Sequence, residues 1–276
     1  MENQFELCIA VRIYPRVSNS TFIQFDDKLN LVETSMKTLK GAINGIKTHI
    51  IFIFDSCEIK FINCINNIFS GISFEIHEIE KAGNAATFLL QIQLLTEQTK
   101  SETVMFCEDD YLFTENSFKK IKDFLKQTKN SIVTPFDHPD IYRLKLHNHP
   151  KSVIFSSEHH WQEINSTCLT FFTSKNTLIS ISYVLKTYNK KNSDTAIFWI
   201  LNKHCIKPRT VINSVLSLFE GDSLPMKTLI KSLYFGGLFL ISNKKIFLYS
   251  PIPTFSTHLD SKDRAPIINW EEIINY

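Results

Sequence analysis

The first half of the chain alternates between short apolar runs and longer stretches in which apolar residues recur every three or four positions. The short runs predict buried strands, and the longer stretches predict amphipathic helices. The predicted strands cover 5–13, 48–54 and 72–79, and a fourth strand begins at 103. Helices are predicted after Asp26-Asp27, over 58–69 and over 85–98. Strands that alternate with helices predict a parallel sheet with right-handed crossovers.

The pattern is less regular in the second half. It predicts a helix over 115–126 capped by Thr114, short strands at 131–134, 142–147 and 152–155, and strand-like alternation within 161–172. Helices are predicted over 177–188 and over 196–201, the second opened by Ser193-Asp194. The segments 208–218 and 233–249 are predicted to be irregular, with Gly236-Gly237 and Asn243-Lys244 as turn signals.

Three consecutive acids, Glu108, Asp109 and Asp110, interrupt the apolar run from 103 to 113. Neighbouring residues of a strand point to opposite faces, so a continuing strand would turn at least one acid into the core. We therefore predict that the strand ends at the acids, at the sheet edge where α/β proteins bind ligands. Asp55 ends the second strand at the same edge.

Crowded carboxylates repel one another unless a cation neutralises them. Mg²⁺ and Mn²⁺ prefer oxygen ligands and often share them with substrate phosphates. The acids thus predict a site for Mn²⁺ or Mg²⁺ bound to a diphosphate. The ordinary alternative is an acidic loop that caps the next helix.

Composition narrows the class of protein. The 276 residues are 43% apolar and 21% charged, as in ordinary soluble domains, and a net charge of +2 without a basic stripe argues against nucleic-acid binding. The six cysteines form no Cys-x-x-Cys pair, which favours free thiols. The chain starts without the features of a signal peptide, and its longest apolar run, 233–242, is too short to span a bilayer. We expect a cytoplasmic protein without a transmembrane segment; peripheral membrane contact and the oligomeric state stay open.

Four motifs, in chain order, carry a resemblance to a known fold family: Lys81-Ala-Gly-Asn84, Cys107-Glu-Asp-Asp-Tyr111, Ser193-Asp194 and Pro253-Thr-Phe-Ser-Thr-His258. As a set they resemble those of GT-A glycosyltransferases, and the segments 134–140 and 161–172 resemble a group of bacterial family-2-like transferases. The likeness covers the chain from 5 to about 270. It implies a single GT-A domain over 1–276, an α/β fold with a Rossmann-like, mostly parallel central sheet flanked by helices. Residues 1–113 would then form the nucleotide-sugar-binding half and residues 114–276 the acceptor-binding half.

The resemblance also implies roles for the acids. They correspond to the DXD motif, with Glu108 in place of the first Asp. Asp110 would ligate the metal directly, while Glu108 and Asp109 would contact the ribose or the waters of the metal. His258 would complete the metal shell, and imidazole suits Mn²⁺ better than Mg²⁺. A surface histidine after a Pro-rich turn is the ordinary alternative for His258.

By the same likeness, Asp55 would accept a hydrogen bond from the base, and Arg12 and Tyr14 would flank the nucleotide. Gly83 and Asn84 would approach the ribose or the phosphates, because a residue without Cβ permits close approach and helix N-terminal amides favour anions.

The acceptor half would supply the general base of an inverting transfer. Asp194 corresponds to the base position of the family, with Glu163 as second choice, and Trp161 would stack on an acceptor sugar. Each has an ordinary explanation as well: Ser-Asp before a helix is a capping arrangement, and a half-buried tryptophan is common in cores.

The resulting hypothesis is a metal-dependent glycosyltransferase that moves a sugar from a nucleotide-sugar donor, expected to be UDP-linked, to a hydroxyl of a glycan or other acceptor, as in polysaccharide biosynthesis. One alternative is a sugar nucleotidyltransferase, although the absence of glycine between 11 and 25 counts against a triphosphate-wrapping loop. The other is a non-catalytic module that binds nucleotides or glycans.

Overall fold

The structure is a computed structural model that describes residues 4–16, 20–156, 159–259 and 264–274. Its strands are Leu7–Ile13 (β1), Thr48–Asp55 (β2), Ser73–Ile79 (β3), Thr103–Glu108 (β4), Tyr111–Phe113 (β5), Ser131–Val133 (β6), Val153–Ser156 (β7), His159–Glu163 (β8), Phe171–Ser174 (β9), Phe247–Ile252 (β10) and Ser256–His258 (β11). Its α-helices are Lys28–Ala42 (α1), Ile59–Ile68 (α2), Gly83–Glu97 (α3), Ser117–Gln127 (α4), Asp140–Arg143 (α5), Lys175–Leu185 (α6), Asp194–Leu201 (α7), Pro208–Phe219 (α8), Leu224–Ile241 (α9) and Trp270–Ile274 (α10).

A nine-stranded mixed sheet in the order β3-β2-β1-β4-β9-β6-β10-β8-β7 organises the described part of the chain. Only β9 and β8 run against the direction of the other strands in it. The prediction of an α/β fold with a mostly parallel central sheet is therefore confirmed, and its β3-β2-β1-β4 part has the order of a Rossmann-like half. Because β4 pairs with β9, the sheet continues from the first half of the chain into the second.

Helices cover both faces of this sheet, and the alternation of β1 shows how. Ile9 and Val11 point into a core built with α1, α2 and α4, whereas Cys8 and Ala10 point into a core built with α3, α6 and α7. Since both faces of β1 and β2 are covered, every residue of these strands is buried. This explains why most of their residues are apolar on both faces.

The segment 142–147, predicted to be a strand, is instead the end of α5 followed by a 3-10 turn at Lys145–His147. Pro139 precedes α5 and Asp140 lies in its first turn, and both residues favour the start of a helix. The alternation in 161–172 is likewise only partly a strand, because β8 ends at Glu163 and β9 starts at Phe171.

The prediction of irregular structure over 208–218 and 233–249 was wrong. Pro208 is in the first turn of α8, where its missing N–H costs nothing. Gly237, with φ 37° and ψ −126°, is not helical, so the predicted turn signal corresponds to a kink that joins two helical segments of α9. The helix start at 115 was also wrong, because Asn116, with φ 56°, is the capping residue of α4.

Candidate active site

A cavity of about 350 Å³ opens where β1, β2 and β4 end. Register places these ends side by side, since Arg12 of β1 pairs with Glu108 of β4 and Ile13 pairs with Phe54 of β2. The cavity is lined by the predicted nucleotide and metal residues Arg12, Tyr14, Asp55, Gly83, Asn84, Glu108, Asp109, Asp110 and His258. The structure thus brings together residues spread over most of the chain, while their roles stay predictions.

Glu108 is neutralised by Arg12. An Arg12 Nη2 atom donates to Glu108 Oε1 at 2.5 Å, and Thr170 Oγ1 donates to Glu108 Oε2 at 3.4 Å. Burial raises the pKa of Glu108, and the positive charge of Arg12 opposes that rise. Arg12 also donates to the backbone and side-chain oxygens of Asn84, so one guanidinium joins the end of β1 to the start of α3.

Asp109 is neutralised by Lys28, a residue that the sequence analysis did not identify. Lys28 Nζ donates to Asp109 Oδ1 at 2.9 Å, and both side chains are only 9% exposed. The backbone N–H of Tyr14 donates to the other oxygen, Oδ2, at 2.9 Å. Burial raises the pKa of Asp109, and the charge of Lys28 opposes it. Lys28 directly follows the cap residue Asp27, so its positive charge lies at the positive end of the α1 dipole. A lysine at this unfavourable position suggests that an acid elsewhere pairs with it, and this signal was available in the sequence.

Asp110 and His258 meet because β5 and β11 pair with Tyr111 opposite His258. His258 Nε2 lies 3.3 Å from Asp110 Oδ2. Burial alone would raise the pKa of Asp110, but His258, followed by Lys28 and Arg12, outweighs it, so this pKa lies below its ordinary value. Asp110 Oδ1 is buried and accepts no hydrogen bond from any residue that the structure describes. A buried anionic oxygen without a partner is the feature that a bound cation would satisfy.

The described residues contain no group of three His, Cys, Asp or Glu side chains arranged to hold a metal ion. Mg²⁺ in phosphate-handling sites is commonly held by only one or two carboxylates, with substrate phosphates as the remaining ligands. The orphaned oxygen of Asp110 and the imidazole of His258 fit that donor set for Mg²⁺ or Mn²⁺.

Asp55 holds the turn that opens α3. Its Oδ1 and Oδ2 atoms accept hydrogen bonds from the backbone N–H groups of Ala82, at 3.1 Å, and Gly83, at 2.7 Å. Gly83 has φ +74°, a conformation that glycine adopts without strain. Asp55 therefore takes up two of the amides that the sequence analysis expected to attract a phosphate.

Asp194 lies beyond the lining of the cavity, on the side of Tyr188. Asn84 Nδ2 donates to the Tyr188 hydroxyl at 3.2 Å. Burial raises the pKa of Tyr188, the charge of Arg12 opposes this rise, and the charge of Asp194 adds to it, so Asp194 lies near Tyr188. Burial raises the pKa of Asp194 itself, although Thr195 N–H donates to its Oδ1 at 2.7 Å. The capping oxygen of α7 comes from Ser193, so Asp194 is not the capping residue.

The other two acceptor-side predictions do not agree with the structure. Glu163 lies on β8, and β9, β6 and β10 separate β8 from β4. Four strand spacings amount to roughly 19 Å, too far for a base acting at this cavity. Glu163 instead lies 3.5 Å from Lys245.

Trp161 is fully buried and stacks on Phe124, with ring centroids 4.2 Å apart and planes 7° apart. It therefore offers no surface to an acceptor sugar, and its place is in the core.

No protein-family model and no curated protein matches this chain by sequence. Among solved structures, the chain is similar to 4-diphosphocytidyl-2C-methyl-D-erythritol synthase from Anaerococcus prevotii, with 12% identity, 98% of this chain and 94% of that one covered, and a TM-score of 0.42. It is also similar to the galactosyltransferase LgtC in complex with donor and acceptor sugar analogues, with 10% identity, coverages of 70% and 69%, and a TM-score of 0.40. A third similar structure is S. aureus TarS in complex with UDP-GlcNAc, with 10% identity, coverages of 47% and 33%, and a TM-score of 0.35.

Proposed function

We propose that this chain is a metal-dependent glycosyltransferase that transfers a sugar from a nucleotide-sugar donor, with UDP as the nucleotide, to a hydroxyl of a glycan or similar acceptor. The observation that carries the proposal is the orphaned Asp110 Oδ1 beside His258 at the carboxyl edge of the parallel strands. The neighbouring acids already have cationic partners in Arg12 and Lys28, so Asp110 is the acid left for a bound ion.

The cavity residues divide the work of donor binding. Asp110 and His258 would hold Mn²⁺ or Mg²⁺, which supplies positive charge to a departing diphosphate. Arg12 fixes the position of Glu108 and Asn84, and Asp55 fixes the turn at Gly83. These contacts preorganise the edge of the cavity, so that binding a nucleotide requires little rearrangement.

Asp194 is the proposed general base. As the acceptor hydroxyl oxygen forms its bond to the anomeric carbon, the bond from that carbon to the diphosphate oxygen breaks, and Asp194 takes the hydroxyl proton. The nucleoside diphosphate leaves with the electron pair of the broken bond, and the anomeric configuration inverts. Burial makes Asp194 a stronger base than an exposed aspartate.

The cysteines accord with the expected cytoplasmic location, since none of the six, all within the described residues, forms a disulfide. We extend the proposal to that compartment and to a role in polysaccharide biosynthesis.

Calorimetric titration with UDP and a set of UDP-sugars, with Mn²⁺ or with EDTA, tests the donor site. We expect binding that requires Mn²⁺ and that weakens more than tenfold in Asp110→Asn. Asp123→Asn, a change of an exposed helical carboxylate, is the matched control and should bind like the wild type. Equal nucleotide binding with EDTA and in Asp110→Asn would refute the metal site. Release of diphosphate from a nucleoside triphosphate and a sugar phosphate would instead show a nucleotidyltransferase.

A further inference from the structure

Helix α8 has its polar side inward and its apolar side outward. Its buried residues are Thr210, Ser214 and Ser217. Its exposed large apolar residues are Val211, Ile212, Val215, Leu216, Leu218 and Phe219. Phe219 is 85% exposed. Surface helices of soluble proteins place the apolar stripe against the core, so α8 is reversed relative to that rule.

Helix α9 is apolar on both of its sides. Leu229 and Phe239 are buried together with the small residues Ser232 and Gly236. Its exposed large apolar residues are Leu224, Ile230, Leu233, Tyr234, Leu238 and Ile241. Together with the exposed residues of α8 they form what we call the outer apolar face. Helices α8 and α9 pack against each other, and many exposed apolar residues on neighbouring helices mark an interaction surface rather than scattered surface hydrophobics.

The position of α9 is that of a helix lying on a surface. Its 18 residues are long and apolar enough to cross a bilayer, yet 33% of the helix is buried inside the protein. Ser232 Oγ donates to the backbone oxygen of Ala196 in α7 at 3.3 Å, which fixes one side of α9 to the protein. Only the opposite side is available to lipid, so the helix can lie along an interface but not be surrounded by acyl chains.

The stretch of sequence that contains α8 and α9 is strongly basic. Between residues 175 and 245 the sequence has eleven Lys and Arg and three Asp and Glu, a net charge of +8, whereas the whole chain carries +2. The remainder of the chain is therefore net negative. Anionic lipid headgroups attract such a basic region over distances comparable to the Debye length.

One lysine favours a lipid surface over a protein partner. Lys227 is exposed on the same side of α9 as Leu224 and Ile230, three positions away from each. Lysine is depleted in the cores of protein interfaces. At a membrane surface its alkyl stem covers apolar area while its ammonium reaches the phosphates. The position of Lys227 is thus suited to lipid headgroups.

We propose that the outer apolar face docks on an anionic membrane surface, with α8 and α9 lying in the headgroup region. This inference goes beyond the proposed transferase activity and does not depend on it. The apolar side chains supply the contact with the acyl boundary, and the basic residues of 175–245 supply the selectivity for anionic lipid.

Flotation of the full chain with vesicles tests the proposal without nucleotide or metal. Vesicles of phosphatidylcholine with about a third phosphatidylglycerol should float the protein at least tenfold better than phosphatidylcholine alone, and added salt should reduce binding. Phe219→Ser should weaken vesicle binding about tenfold, because a partly inserted aromatic side chain is lost. Phe155→Ser changes a phenylalanine that is 68% exposed on β7, and this matched control should bind as the wild type does.

Lys227→Gln separates the electrostatic contribution from the apolar one. It should weaken binding to the anionic vesicles about fivefold and leave binding to neutral vesicles unchanged. Unfolding midpoints measured beside the flotation should not differ among the variants, since all three positions are exposed. Absence of flotation, or equal flotation with both lipids, would overturn the proposal. A dimer in sedimentation that Phe219→Ser dissolves, without vesicle binding, would assign the face to a second copy of the chain.

Discussion

Replacing Asp55 by alanine is expected to destabilise the turn that carries Gly83 into the cavity. Asp55 is 2% exposed, and its carboxylate accepts hydrogen bonds from two backbone amides, those of Ala82 and Gly83. A hydrogen bond to a charged group contributes about 1.5–3 kcal/mol, so the loss of both should lower the free energy of unfolding by about 4 kcal/mol.

Asp27 provides a matched control, because its carboxylate also accepts an amide at a helix start. It accepts from Asn30 N–H at 2.9 Å but is exposed. Asp27→Ala should therefore cost only about 1 kcal/mol. Equilibrium urea unfolding of both variants, without nucleotide, gives the comparison. An Asp55→Ala loss no larger than that of Asp27→Ala would refute the assignment of Asp55 to the turn.

The variant Asp55→Asn separates the turn from direct recognition of the base. It keeps the shape and one carbonyl oxygen, so we expect a loss of about 2 kcal/mol in stability. If Asp55 acts by positioning Gly83, the variant should weaken the binding of UDP and of GDP by the same factor. A loss confined to one nucleotide in calorimetric titration would contradict this and favour a contact between Asp55 and the base.

Three further outcomes follow from the buried groups. Lys28→Met should lower the free energy of unfolding by about 3 kcal/mol, because it leaves Asp109 buried without its partner, and the double variant with Asp109→Asn should lose less than the sum of the single losses in a double-mutant cycle. Burial lowers the pKa of His204 to about 3, so on acidification the unfolded chain binds a proton at this residue before the folded chain does. The free energy of unfolding should therefore fall as the pH drops below 6.5, by about 1.4 kcal/mol per pH unit from this group. His204→Asn should reduce the pH dependence of the free energy of unfolding, measured in urea over pH 4–6, and an unchanged slope would contradict this assignment. Trp161→Ala should lower the free energy of unfolding by about 3–5 kcal/mol and leave the affinity for UDP unchanged at a temperature where the variant is folded. A selective loss of acceptor-dependent turnover would instead show that Trp161 contacts the acceptor.

The central part of the fold could be predicted because its pattern has one solution. A strand as apolar as β1, in which Arg12 is the one charged residue, requires cover on both faces, and three consecutive acids favour a strand end, which the structure places at Glu108. The convergence of Asp55, Glu108 and their neighbours then follows from parallel register. The resemblance of short motifs added His258, which no periodicity would have linked to Asp110.

The remaining features depend on partners that a linear pattern does not reveal. The burial of Trp161 follows from its stacking on Phe124, and the distance of Glu163 from the cavity follows from the insertion of β9, β6 and β10 between β4 and β8. Helix α9 was missed because the Gly236-Gly237 pair was given more weight than the apolar residues around it. Helix α8 was missed because its large apolar residues lie on the outward side, which is not where the core of a surface helix is expected.

The pairing of β5 with β11 determines when the Asp110–His258 part of the cavity can form during folding. Asp110 and His258 are roughly 150 residues apart in the chain, so their meeting closes one of the longest loops in the protein and carries a correspondingly high entropic cost. A chain in which only β1 to β4 had formed would present Asp110 without its imidazole neighbour. Cation binding would then distinguish fully folded molecules from those in which only the sheet is complete.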